Sequence, residues 1–165
     1  MQKTAWIFLL LLLLASTSTA GPLGYDMNGD GIWDDVATYV DQIHPDQVSS
    51  PERMATLQMV KAFQAFVKDS YSPTQSRMNG EALKRSLECS FYCNRQKAKQ
   101  IYEALKIVIL SNPERRKRFL AAEQSLAGEY MVIDENPEQW RYSCDFAAPE
   151  QPFSKPLEQG GQDGR

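Results

Sequence analysis

The sequence predicts an all-α fold, a single compact bundle of about five helices, and three observations predict it. Apolar residues recur at helical spacing from Ile32 to Leu126. The breaks between these segments carry helix start and stop residues. The polar–apolar alternation of a half-buried strand is missing from the same stretch.

The first stripe is Ile32, Val36, Tyr39, Val40 and Ile43, stopped by Pro45. The second helix opens with Ser49 or Ser50 as cap, Pro51 in the first turn and Glu52 behind it. Its core face runs Met54, Leu57, Val60, Phe63, Phe66 and Val67, and Ser72-Pro73 breaks it. A third stretch, 75–92, carries Leu83, Leu87 and Phe91, and Asn79-Gly80 leaves its start open. Asn94 is placed to cap a fourth helix bearing Ala98, Ile101, Leu105, Val108 and Ile109, although one continuous helix is an equal alternative. Asn112 and Pro113 open a fifth with Phe119, Leu120 and Leu126, closed by Gly128.

Beyond Gly128 the period is lost. Tyr130 to Ile133 suits a short extended segment, and Trp140, Tyr142 and Phe146 are expected to lie over the helices. From Pro149 the chain is rich in Pro, Gln and Gly, so 149–165 is expected to be a disordered tail.

The first 20 residues have the order of a secretory leader. Lys3 supplies the charge, Trp6 to Leu14 the apolar core, and Ser18 and Ala20 the small residues before a cut. The apolar run stops at Ser16-Thr17-Ser18-Thr19, short of the roughly 20 residues a spanning helix needs. A secreted or periplasmic chain starting at Gly21 is expected, with no integral membrane segment after cleavage. It would keep 145 of the 165 residues, enough for one domain with a sizeable core. Only Lys3 is lost from 18 Lys plus Arg against 21 Asp plus Glu, which takes the net charge from −3 to −4. Such a chain has no global attraction for nucleic acid. The run Arg115-Arg116-Lys117-Arg118 reads as a solvated helix face.

The most specific chemistry lies in residues 21–37, a loop leading into the first helix, with 38–148 as the helical domain. Asp26, Asn28 and Asp30 are oxygen donors at positions 1, 3 and 5, and Gly31 at position 6 permits a sharp turn. The Ile32 carbonyl stands at position 7 and Asp34 at position 9. A backbone curled around one point brings such oxygens together, as a hard cation with six to eight oxygen ligands requires. The stretch resembles the calcium loops of the EF-hand, and more closely those of thrombospondin type 3 repeats and dockerins. The resemblance covers about 12 residues. It implies Ca²⁺ as the ligand and Asp26, Asn28, Asp30, Ile32 and Asp34 as its shell. Position 12, where the EF-hand places a bidentate Glu, is Ala37, and 21–25 leave no room for an incoming helix. Asp35, or an acid from elsewhere, would have to complete the shell. Without a metal, the same residues would form an Asx-rich turn capping the helix.

Cys89, Cys93 and Cys144 are an odd number for an oxidising compartment. Cys144 is expected to bridge to Cys89 or Cys93, stapling the irregular segment to the helices and leaving one thiol. The spacing of the three with His44 matches no zinc module. Cys-x-x-x-Cys resembles half of a twin-motif helical hairpin, whose second pair is missing. His44, the only histidine, stands where it could meet the negative end of the first helix. No Gly-x-Ser-x-Gly, His-Glu-x-x-His or phosphate-binding glycine loop occurs. The leading expectation is an exported, non-catalytic, calcium-binding helical protein acting through an unidentified protein partner or at the cell envelope. A small secreted hydrolase with a structural calcium site is the other.

Overall fold

Ser50, Ser72 and Asn112 each stand directly before a proline, and each starts a helix in the computed structural model. The Ser50 hydroxyl accepts from the Arg53 amide at 3.1 Å and the Ser72 hydroxyl from Gln75 at 3.2 Å. Asn112 Oδ1 accepts from Glu114 at 2.9 Å and Arg115 at 3.2 Å. Each cap satisfies amides that have no partner within the helix, and the proline at the first position has no amide to satisfy.

The structure describes residues 21–129 and 132–150. They form α1 (Asp34–Ile43), α2 (Pro51–Asp69), α3 (Pro73–Cys93), α4 (Ala98–Ile109), α5 (Pro113–Ser125) and a 3-10 turn at Gln139–Ser143. Among the described residues there is no strand, only an isolated bridge between Gly21 and Gly24. The leader, Tyr130 and Met131 of the expected extended segment, and residues 151–165 of the expected tail lie outside them. None of the described helices is long and apolar enough to cross a membrane.

Three element boundaries differ from expectation. Ser72-Pro73 ends one helix by beginning the next, so α3 starts at Pro73 and contains Asn79-Gly80. Asn79 is tolerated there because its amide donates across the α2–α3 contact, to the Ala65 carbonyl at 3.1 Å and the Ser70 hydroxyl at 3.2 Å. Asn94 ends α3 instead of capping α4 with its side chain, and the Asn94 carbonyl receives the amides of Lys97 and Ala98. Residues 94–97 therefore separate two helices.

The stripes close on one core. Ile32, Val36 and Val40 meet Met59, Val60, Phe63, Phe66 and Val67 of α2, Leu83 of α3, Leu105 and Ile109 of α4, and Phe119 of α5. Phe119 stacks on Phe63 at 5.5 Å between ring centroids and meets Phe66 edge-on at 5.7 Å. Offset and edge-on pairs of this kind add to the burial of the rings. Met54 and Leu120, expected on core faces, are exposed.

A second, smaller cluster seats the C-terminal segment on α2 and α3. It gathers Ala55, Cys89, Tyr92, Cys93 and Ala148, with Trp140, Cys144 and Phe146 against it. Tyr142 does not join them and is 73% exposed. Polar contacts hold the strap in register: Gln58 donates to the Ser143 carbonyl at 2.8 Å and accepts from the Asp145 amide at 3.0 Å. The buried Glu88 carboxylate accepts from the Asp134 amide and the Ser143 hydroxyl. The strap reaches Pro149, whose carbonyl takes the Tyr92 hydroxyl at 2.7 Å.

Cys89 and Cys144 form the disulfide, and Cys93 is the free thiol, buried. The bridge spans 55 residues, and in the chain-entropy account such a loop is worth about 4 kcal/mol.

At the other end of the bundle, Arg115 overturns the reading of its run as a solvated face. Its side chain is 1% exposed, while Arg116 and Lys117 face solvent. The guanidinium holds both Asp35 oxygens, at 2.7 and 2.9 Å, and donates through Nε to the Leu23 carbonyl. It also lies 3.8 Å from the centroid of the Trp33 ring. Gly24, at φ +121°, leaves the space it needs: a Cβ there would sit 2.2 Å from a guanidinium nitrogen.

Two outcomes are expected. Thiol titration of the unreduced, denatured protein should give one reactive group, and a count of three would contradict the staple. Arg115→Met keeps the stem over Trp33 but leaves the Leu23 carbonyl and Asp35 without a donor. Because Asp35 is 49% exposed and can rehydrate, the loss should be about 2 kcal/mol rather than the full cost of a buried unpaired charge. It would be read as a lower urea midpoint at unchanged slope. Arg115→Lys should recover only part, since it keeps the charge but loses the two-pronged donor. An unchanged midpoint in Arg115→Met would contradict the anchoring role.

Candidate metal centre

Residues 25–33 run from the Arg115 anchor into α1, and their own side chains shape them. Asp26 accepts from the Gly29 amide at 2.8 Å through Oδ1 and from Gly31 at 2.9 Å through Oδ2. Asn28 Oδ1 accepts from Asp30 at 3.2 Å, and Asp30 Oδ1 from Ile32 at 2.8 Å. Asn28 donates to Asp30 Oδ2 at 3.0 Å, and Asp34 Oδ1 takes the Met27 amide at 3.1 Å. Gly31 has φ +84° and Gly29 φ +72°, the left-handed region where a side chain is strained. The turn expected at Gly31 is present, and Gly29 makes a second one.

The loop is held at its base and bare at its tip. Gln64, 5% exposed on α2, donates to the Gly31 carbonyl at 2.8 Å and accepts from the Trp33 amide at 2.9 Å. The Asp34 amide donates to the Tyr25 carbonyl at 2.8 Å, closing the loop across its neck. Asp26 to Asp30 are exposed. Trp33, rather than an Asx side chain, is the residue before α1, and it makes no side-chain cap. Asp34 and Asp35 in the first turn place negative charge at the positive end of that helix.

Asp26, Asn28 and Asp30 therefore share one short loop, and Asp34 opens the helix that follows it. Their oxygens are turned on loop amides, and an ionised carboxylate that accepts one amide bond per oxygen still has lone pairs for a cation. Among the described residues, the one group of three or more Cys, His, Asp or Glu with converged ligand atoms is Cys89, Cys93 and Cys144. Asp26, Asp30 and Asp34 do not form such a group. Each Asp35 oxygen takes one donor from Arg115, which turns that carboxylate toward α5. Ala37, at position 12, packs against the core.

An open cleft of about 530 Å³ runs beside the loop, with Lys61, Lys68 and Arg118 along it and Asp26, Gly31 and Gln64 at the loop side. His44 lines a separate cleft of about 610 Å³ with Glu52 and Lys97. Its ring does not serve the helix end. Nε2 lies 3.0 Å from the Thr56 hydroxyl, which itself donates to the Glu52 carbonyl at 2.9 Å. Nδ1 lies 3.4 Å from Gln47 Oε1, so both ring nitrogens face side chains.

Two of these residues, Arg115 and Gln64, were missed by reasoning from charge runs and apolar stripes. The signal for each was its spacing. Arg115 stands four and seven residues before Phe119 and Ala122, on the buried face of α5. Gln64 lies beside Phe63 on the buried face of α2. A polar residue at a core position needs a partner.

The chain matches no family model, no curated protein and no solved structure, so its own residues and their geometry carry the functional reading.

Proposed function

We propose that this is an exported helical protein whose N-terminal loop binds one Ca²⁺, and that it acts without catalysis, through protein contacts or at the cell envelope. The 1-3-5-7-9 order of Asp26, Asn28, Asp30, Ile32 and Asp34 carries the calcium reading, on a backbone curled by Gly29 and Gly31. The anchors at Gln64 and Arg115 support it, because a loop fixed at its base loses less freedom on binding an ion. The leader-like 1–20 and the Cys89–Cys144 disulfide support export together, since structural disulfides persist in oxidising compartments.

With no acid at position 12, the shell has fewer protein oxygens than an EF-hand and is completed by water. Affinity should fall in the range of extracellular modules, on the order of 10⁻⁴–10⁻³ M. The metal's role is to offset the mutual repulsion of Asp26, Asp30 and Asp34 and to set the N-terminal segment against the helical body. The cleft beside His44 and Glu52 is a foothold for a secreted hydrolase, and the contact of His44 with Thr56 weighs against it.

Two measurements test the proposal. N-terminal sequencing of secreted material should begin at Gly21, and a chain retaining residues 1–20 would end the export reading. Ca²⁺ should stabilise the fold by mass action, by roughly 2.7 kcal/mol at a hundredfold excess over the dissociation constant, and so raise the melting temperature. Asp30→Ala also removes the acceptor for the Ile32 amide, so the informative quantity is the difference between Ca²⁺ and chelator within each protein. That difference should largely vanish in Asp30→Ala, and Mg²⁺, which needs a tighter octahedron, should substitute poorly. Equal melting temperatures in millimolar Ca²⁺ and in chelator would reduce the loop to an Asx turn.

A further inference from the structure

Three sulfur atoms meet where α3 faces the C-terminal strap. Cys89 and Cys93 stand four residues apart at the end of α3, so both project onto the same side. Cys144 follows the 3-10 turn and is bonded to Cys89 with the Cα atoms 4.8 Å apart. All three Sγ atoms lie within 4.8 Å of one another. Cys93 is thus a thiol poised against a disulfide, the arrangement from which exchange proceeds.

We propose that Cys144 is a two-position latch, held by Cys89 in this structure and transferable to Cys93. In the transfer, Cys93 gives up its proton and its Sγ attacks Cys144 Sγ. The Cys93–Cys144 bond forms, the Cys89–Cys144 bond breaks, and its electron pair goes to Cys89 Sγ. A proton taken up by Cys89 restores the count to one disulfide and one thiol. There is no net oxidation, and no outside reagent is consumed.

The movement required is small and falls on the part of the chain able to make it. Cys89 and Cys93 ride on a regular helix, whereas Cys144 lies in irregular backbone. The loop closed by each bond is nearly the same length, 55 residues for Cys89 and, as 144 minus 93, 51 for Cys93. Closure entropy varies with the logarithm of length and barely separates the two. Burial, with the Glu52 carboxylate beside it, pushes the Cys93 thiol up to about 11 and so keeps spontaneous transfer slow at neutral pH. An external thiol that opens the bridge at Cys144, the one half-buried sulfur of the three, meets two internal thiols able to expel it. The strap relatches instead of remaining modified.

The test compares the full chain with Cys89→Ala, both oxidised in a mixture of reduced and oxidised glutathione. Peptide mapping of Cys89→Ala should show a Cys93–Cys144 bond and no titratable thiol. A folded Cys89→Ala protein, judged by circular dichroism, that carries two free thiols or glutathione on Cys144 would overturn the proposal. If Cys89→Ala does not fold, the unaltered protein decides. After incubation with trace reduced glutathione, acid quenching and alkylation, a fraction of molecules should carry the label on Cys89. Label confined to Cys93 in every molecule, however long the incubation, would overturn the latch.

Discussion

One guanidinium, that of Arg115, ties four separate parts of the chain together. It holds the backbone at Leu23, the face of Trp33, the carboxylate of Asp35 at the start of α1, and its own helix α5. A buried cation is tolerated only when its donors are met, and this one has a carbonyl, a bidentate carboxylate and an aromatic face. Among the described residues, Leu23, partly buried, is the one before Ile32 that packs against the core. The position of the N-terminal segment therefore depends on polar contacts, and Arg115 supplies the largest set of them. Gln64 completes the attachment by gripping the backbone on both sides of Ile32.

The helical body has its own supports, distinct from those of the loop. The helices are held by the Phe63, Phe66 and Phe119 core and, at the far end, by the disulfide-bonded strap. The loop tip rests on hydrogen bonds within itself, and Met27 there is 85% exposed. Its carboxylates bond the loop amides and face water, so the segment keeps a turn geometry while retaining lone pairs for an ion. An added cation would relieve repulsion locally and order the tip. It would not be needed to build the bundle.

How much of this was legible in the sequence follows from the physics of each feature. Helices α2 and α5 were readable because cap and proline act locally: Ser50-Pro51 and Asn112-Pro113 behave in the protein as in any chain. The staple was readable as a choice between Cys89 and Cys93, and only packing of the strap against α3 settles it on Cys89. Asn79-Gly80 looked like a turn because its local preference is for turns, but Asn79 finds partners on α2 that no local rule contains. That Asp35 would pair with a residue 80 positions away was not legible in its local sequence. Arg115 was hidden in a run of four basic residues, where charge suggested solvent and only its spacing from Phe119 pointed inward.

The central claim is that a pre-curled loop, fixed at its base to a helical body, takes one calcium ion. Calorimetric titration of the protein beginning at Gly21 tests it most directly. The account predicts saturable Ca²⁺ binding with one site per chain, and a clear loss of affinity when Gln64→Leu releases the loop from α2. A titration showing only the heat of dilution, with the protein folded and its disulfide intact, would contradict it.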